Sequence, residues 1–177
     1  MTIELSPYNP DWPYMFTAEK ELISANFPEK DFSIEHIGST AVSGLKAKPV
    51  IDILIGLSPS LPADITPIAN HLRVLGYKYI EKYNLMIPER RYFTKEVNGK
   101  PTHHIHIVAM HSDFWNRHLF FRDQLRENPA IREQYERLKT DLAKQQWNSG
   151  NDYADAKSDF IRSIEKRRAA HTNISPI

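Results

Sequence analysis

The chain contains no cysteine, which excludes disulfides, cysteine-ligated zinc folds and thiol catalysis. It also lacks any apolar run near the roughly 20 residues that a membrane-spanning helix needs. The first residues lack the basic and apolar blocks of a signal peptide, so the expectation is a cytoplasmic protein with no membrane partner. Excess charge of one sign is missing too: 23 Lys and Arg face 22 Asp and Glu, a net charge of +1. No overall field therefore singles out nucleic acid as a partner. Internal repeats and low-complexity tracts are absent.

What is present fits one globular domain. The 177 residues are 41 % apolar and 25 % charged, and eight histidines make the charge sensitive to pH near neutrality. Residues 1–13 read as a proline-rich arm with Tyr8 and Trp12. A helix over 11–26 follows, capped by Asp11 and carrying Met15, Phe16, Leu22 and Ile23 at helical spacing. Pro28 stops it. Further on, 64–75 reads as a helix closed by Gly76, and 77–83 as a strand. Asn98-Gly99 between 91–97 and 100–109 is a strong two-residue hairpin signal. In the second of those strands Thr102, His104 and His106 share one face, while His103, Ile105 and Ile107 share the other. One face is therefore apolar and one carries histidine towards a groove. From Ser112 the periodicity becomes helical, with segments over 113–127, 131–146 and 152–168, and 171–177 reads as a flexible tail. The predicted organisation is an α/β core over 1–110 and a helical subdomain over 111–170.

The densest stretch is 34–55. A short β-branched strand runs into Gly38-Ser39-Thr40, and an apolar strand from Val50 is interrupted by a single acid, Asp52. Glycine permits backbone geometry that a side chain resists, and the hydroxyls of Ser39 and Thr40 are candidate N-caps. Together they form a candidate phosphate-binding turn, with Lys48 adding charge. An acid inside an oily strand is costly unless it is paired, hydrogen-bonded or bound to metal. Asp52 is thus the leading metal ligand, or else a structural cap. Glu35, on the preceding strand, is a candidate second carboxylate; its alternative is an ion pair with Lys48 or Arg91. His104 and His106, about 7 Å apart along one strand face, suit one shared ion or one phosphate, and His36 could join either role. Imidazole with one carboxylate suits Zn, Mn or Fe better than Mg.

The run from Glu35 to Leu45, followed by Ala47-Lys48-Pro49-Val50-Ile51-Asp52-Ile53, resembles the GrpB family, also called UPF0157. The segment Phe121-Arg122-Asp123-Gln124-Leu125-Arg126-Glu127-Asn128-Pro129 resembles that family's Phe-Arg-Asp-x-Leu-Arg-x-x-Pro motif. His104-x-His106 and the Tyr135/Lys139 and Tyr153/Lys157 pairs also match. The family looks like a branch of the nucleotidyltransferase superfamily with a polymerase β-type palm. That resemblance implies a nucleotidyltransferase-like mixed sheet flanked by helices, an α/β (α+β) fold with a C-terminal helical subdomain. It implies a nucleotide or other phosphorylated small molecule as ligand and metal-assisted nucleotidyl transfer. The implied cofactor is a divalent ion, Mg or Mn with Zn as an option, on Asp52, His104 and His106. Asp52, Ser39 and Glu35 are the implied catalytic residues. Gly38, Ser39, Thr40, Lys48, Arg91, Arg122, Lys139 and Lys157 are the implied phosphate contacts. The superfamily's second acid is replaced here by Leu54, and Ser43 stands where the family usually has proline. Two-metal transfer needs several carboxylates. Three alternatives stay open: a nucleotide- or CoA-type binding module, a His/Asp metal-dependent phosphohydrolase, and an interaction protein working through its helical half.

Overall fold

A computed structural model of the chain describes residues 1–168, so the expected 171–177 tail lies outside the described residues. Its five strands are β1 (Phe32–Ile37), β2 (Ile51–Leu57), β3 (Tyr77–Tyr79), β4 (Arg91–Val97) and β5 (Lys100–Ala109). They form one mixed sheet in the order β1-β2-β5-β4-β3. β2 and β5 run parallel, and the other neighbours are antiparallel. The β4–β5 hairpin turns on Asn98 and Gly99, both at positive φ (52° and 72°), as a primed two-residue turn requires.

One face of the sheet is closed by α1 (Trp12–Ser24) and α2 (Thr66–Val74). Ile51, Ile53 and Ile55 of β2, Ile105 and Ile107 of β5 and Phe93 of β4 form the core there with Trp12, Ile23, Ile68 and Leu72. Each such fully buried side chain contributes about 1.5–3 kcal/mol of transfer free energy. The other face is covered at one end by α3 (Asp113–Glu127). Leu54 and Val108 pack there with Ile37, Phe114 and Trp115. Gly56 makes this contact close, because a Cβ at that position would lie 2.6 Å from the Trp115 ring. A third cluster joins Val42 and Leu45, just after the Gly-Ser turn, to Leu125 of α3, to Ile131 and Tyr135 of α4 (Pro129–Ala143) and to Ile164. The C-terminal helices thus hold the turn from outside the sheet.

Several local expectations shift. Asp11 occupies the N-cap of α1, but its side chain makes no capping bond. Trp12 opens that helix and is buried, whereas Met15 and Leu22 are 40 % and 52 % exposed. The inward stripe is Trp12, Glu19 and Ile23, and Glu19 enters the core because Lys95 Nζ donates to its carboxylate at 2.9 Å. β3 ends after three residues and gives way to a 3-10 turn, Glu81–Asn84. The segment expected as one helix over 152–168 is two: α5 (Gly150–Asp155), opened by a Ser149/Asp152 capping box, and α6 (Ser158–Glu165). Among the described residues no helix is long and apolar enough to cross a membrane.

Candidate functional site

Gly38 sits at φ 71°, and a Cβ built there would lie 2.4 Å from Asp52 Oδ2. Glycine is therefore required twice, by backbone conformation and by the approach of the carboxylate. The 3-10 turn Ser39–Ala41 follows. Neither hydroxyl caps it, contrary to the sequence expectation. Ser39 Oγ instead accepts from Lys139 Nζ at 3.1 Å, and Thr40 donates to the Val50 carbonyl at 3.3 Å. With that proton committed, Thr40 Oγ1 accepts from His36 Nε2 at 3.0 Å. His36 also stacks on Phe16, 4.7 Å between centroids. Burial lowers its pKa to about 4, and its ring is taken up by Thr40 and Phe16 outside the cleft lining.

Parallel pairing places Asp52 directly beside His104 and Leu54 beside His106. His104 Nδ1 lies 3.1 Å from Asp52 Oδ1. Burial pushes the Asp52 carboxyl upward, but the His104 hydrogen bond and the charges of His104, His106 and Lys157 outweigh it, leaving the pKa lowered. Burial drives the His106 pKa well below its ordinary value. The His106 Nδ1 faces Arg90 Nη1 at 3.4 Å, and its ring lies against Tyr92, 5.2 Å between centroids. Asp52 and His104 are therefore a pair, while His106 is engaged with Arg90. Among the described residues no three acidic or imidazole side chains come together as a metal cluster. The position of the second acid is Leu54, fully buried under Phe114 and Trp115. One carboxylate, one adjacent imidazole and several surrounding cations do not fit a divalent-metal centre.

The cations converge instead. Tyr153 lies between two lysines: Lys48 Nζ is 4.7 Å and Lys157 Nζ 4.4 Å from its ring centroid. Neither ammonium has a hydrogen-bond or ion-pair partner among the described residues, only the shared ring. The buried Tyr153 hydroxyl and Arg90 Nε also lack one. Burial, with Lys48 as a like-charged neighbour, lowers the Lys157 pKa to about 8. Burial and Lys157 lower that of Lys139 to about 7. Lys139 is held at the back of the site, over the Tyr135 ring and donating to Ser39 Oγ and the Lys46 carbonyl. All of these groups border one cleft of about 710 Å³, in the size range of small-molecule sites. A second, shallower hollow of about 590 Å³ along α1, between Phe16 and Ala25, has no convergent cations.

Of the residues singled out from sequence, Ser39, Thr40, Lys48, Asp52, His104, His106, Lys139 and Lys157 border this cleft, with Gly38 against Asp52 from behind. Glu35, Arg122 and Arg91 do not. Glu35 is opposite Leu54 rather than Asp52, and its carboxylate receives Arg122 Nη1 at 2.7 Å, not Lys48 or Arg91. Arg122 also donates to the His36 carbonyl at 3.2 Å, and Arg126 Nε to the Ala41 carbonyl at 2.9 Å. These arginines brace the turn rather than grip a ligand. Arg91 Nη1 is spent on the Pro88 carbonyl at 2.8 Å, and its neighbour Arg90 faces the cleft instead. The sequence expectation had Arg91 as the phosphate contact, whereas the cleft lining includes Arg90. Counted from the Asn98-Gly99 turn, Arg91 would fall opposite His106; a register shift between Lys95 and Glu96 moves the pairing by one, so Tyr92 faces His106 and Arg91 faces Ile107.

Residues 2–167 match the profile of a family described as GrpB protein. The chain belongs to the GrpB family. It is 38 % identical over 171 residues to a UPF0157 protein of Halalkalibacterium halodurans, covering 96 % of this chain and 84 % of that one. It is 35 % identical over 162 residues to the glutamate-rich protein GrpB of Alkalihalophilus pseudofirmus, covering 90 % and 92 %. The crystal structure of conserved protein GrpB from Enterococcus faecalis superposes with a TM-score of 0.77 at 34 % identity, covering 93 % of this chain and 96 % of that one. The GrpB membership expected from the Gly38-Ser39, Asp52 and Phe121–Pro129 motifs is thereby shown, and the mixed sheet is consistent with a nucleotidyltransferase-like fold.

Proposed function

We propose that this GrpB-family chain binds a phosphorylated small molecule of nucleotide type in the cleft between the sheet and α5. The observation that carries the reading is the pair of unpartnered ammoniums, Lys48 and Lys157, on either side of Tyr153. Two half-buried cations that share only the more distant Asp52 carboxylate favour an anion that replaces their lost hydration. The Arg90 side chain and the Ser39 hydroxyl add polar groups along the same wall.

Metal-assisted nucleotidyl transfer, the finer reading from the family resemblance, asks for carboxylates that the Asp52 side of the cleft does not supply. In the reading favoured here, phosphate charge is offset by Lys48, Lys157 and Arg90, which are fixed in place before the ligand arrives. The Asp52–His104 pair, beside those cations, is placed to hold a hydroxyl of the ligand or to take its proton. Binding is the primary activity and transfer a secondary one. Titration calorimetry with pyrophosphate and with nucleoside mono- and triphosphates, each in chelator and in excess magnesium, tests this. Micromolar binding that persists in chelator and weakens in a Lys48→Gln, Lys157→Gln double variant is the expected result. Absence of binding for every ligand in both conditions overturns the reading. Binding only with metal restores the metal-assisted alternative.

A further inference from the structure

Among the described residues Lys157 has neither a hydrogen bond nor a salt bridge; like Lys48 it rests on the Tyr153 ring, but burial lowers its pKa the further of the two, to about 8. It occupies the junction between α5 and α6, with φ −92° and ψ −11°, and reaches the cleft from that break. Lys48 shares the same ring, and Lys139 is near enough for the two amines to disfavour each other's charge. Lys139 already donates to Ser39 Oγ and the Lys46 carbonyl, which commits its amine. A lysine that is partly desolvated, flanked by like charges and free of acceptors has the setting in which an amine acts as a nucleophile. The lowered Lys157 pKa agrees with that setting.

We propose that Lys157 is a covalent site for a carbonyl-bearing phosphate: its amine condenses with an aldehyde or ketone whose phosphate is held by Lys48 and Arg90. The inference rests on the anion-binding reading above. The amine nitrogen bonds to the carbonyl carbon. The carbonyl oxygen leaves as water with the two amine protons, and the product is an imine. No electrons change hands, and hydrolysis reverses the step. The Tyr153 ring, 4.4 Å from the Lys157 ammonium, lies against the amine that reacts.

The test uses pyridoxal 5′-phosphate as the probe on the full chain, at sub-stoichiometric concentration, trapped with borohydride and mapped by peptide mass spectrometry. Lys157 is expected to carry the adduct in about tenfold excess over any surface lysine. Excess pyrophosphate should suppress it, and Lys157→Arg, which keeps a cation but no nucleophilic amine, should abolish it. Calorimetry with pyrophosphate on the wild-type chain separates the two readings. Pyrophosphate binding with the adduct spread over surface lysines, or with total labelling undiminished in Lys157→Arg, overturns the covalent site and leaves the anion site standing. Failure to bind pyrophosphate and to label Lys157 overturns both.

Discussion

Tyr135–Lys139 and Tyr153–Lys157 share a four-residue spacing, and in both the ammonium lies over its own tyrosine ring, at 5.0 Å and 4.4 Å. They part company in what else they touch. Tyr135–Lys139 lies within one continuous helix, and its lysine is 2 % exposed and donates to Ser39 Oγ of the Gly-Ser turn and to the Lys46 carbonyl beyond it. Tyr153–Lys157 spans the break between α5 and α6, and its lysine ends in open cleft beside Lys48. Spacing along a helix places a side chain on a face, while the element opposite decides whether the charge builds structure or awaits a ligand.

The largest consequence of that contrast is thermodynamic. Lys139→Ala removes both bonds and leaves the Lys46 carbonyl without its donor, so a loss of about 3 kcal/mol in unfolding free energy is expected. Lys157→Ala should stay within about 0.5 kcal/mol of wild type. Denaturant titration of the two variants checks this, and equal losses break the contrast. Gly38→Ala attacks the same turn through the Asp52 carboxylate and the positive φ. It should cost about 2 kcal/mol and depress anion affinity as well, read by melting curves and calorimetry together.

The ligand-facing lysine should show itself through pH. Lys157 has its pKa lowered to about 8, so it is charged below that value and loses its charge as pH rises through it. Pyrophosphate affinity is therefore expected to fall about tenfold between pH 7 and pH 9, with Lys48 and Lys139 contributing in the same direction. In Lys157→Gln the curve should flatten around pH 8, and a variant that keeps the full wild-type slope there removes Lys157 from the site. The smallest effect concerns Tyr153→Phe. Its hydroxyl has no partner among the described residues, so stability should hold while ligand affinity drops by about 0.5–1.5 kcal/mol.

Local signals carried much of the fold. Asn98-Gly99 gave the hairpin, the alternation of His104 and His106 with Ile105 and Ile107 separated the cleft face from the core face, and Gly38 and Asp52 met as their positions suggested. What stayed hidden depends on partners distant in the chain. Glu35 is neutralised by Arg122, which lies 87 residues away, and no periodicity in either segment announces that pair. Glu19 broke the apolar stripe of α1 because Lys95 waits on β4. Leu54 was read as an acid lost from a metal site. Its burial beneath Phe114 and Trp115 shows that the place of that acid has become hydrophobic core, a fact that needs α3 in position to be seen. The helix break at Lys157 was missed because Tyr153, Ala156, Phe160 and Ile164 keep helical spacing through it.

The parallel pairing of β2 with β5 has a kinetic corollary. The β4–β5 hairpin closes through near neighbours, whereas β2 must await a strand about fifty residues downstream, the slower kind of closure. Asp52 and His104 face one another only after that late step, and Lys157 arrives later still in synthesis. Ligand-induced protection from proteolysis during refolding would therefore report completion of the whole chain rather than of any one segment.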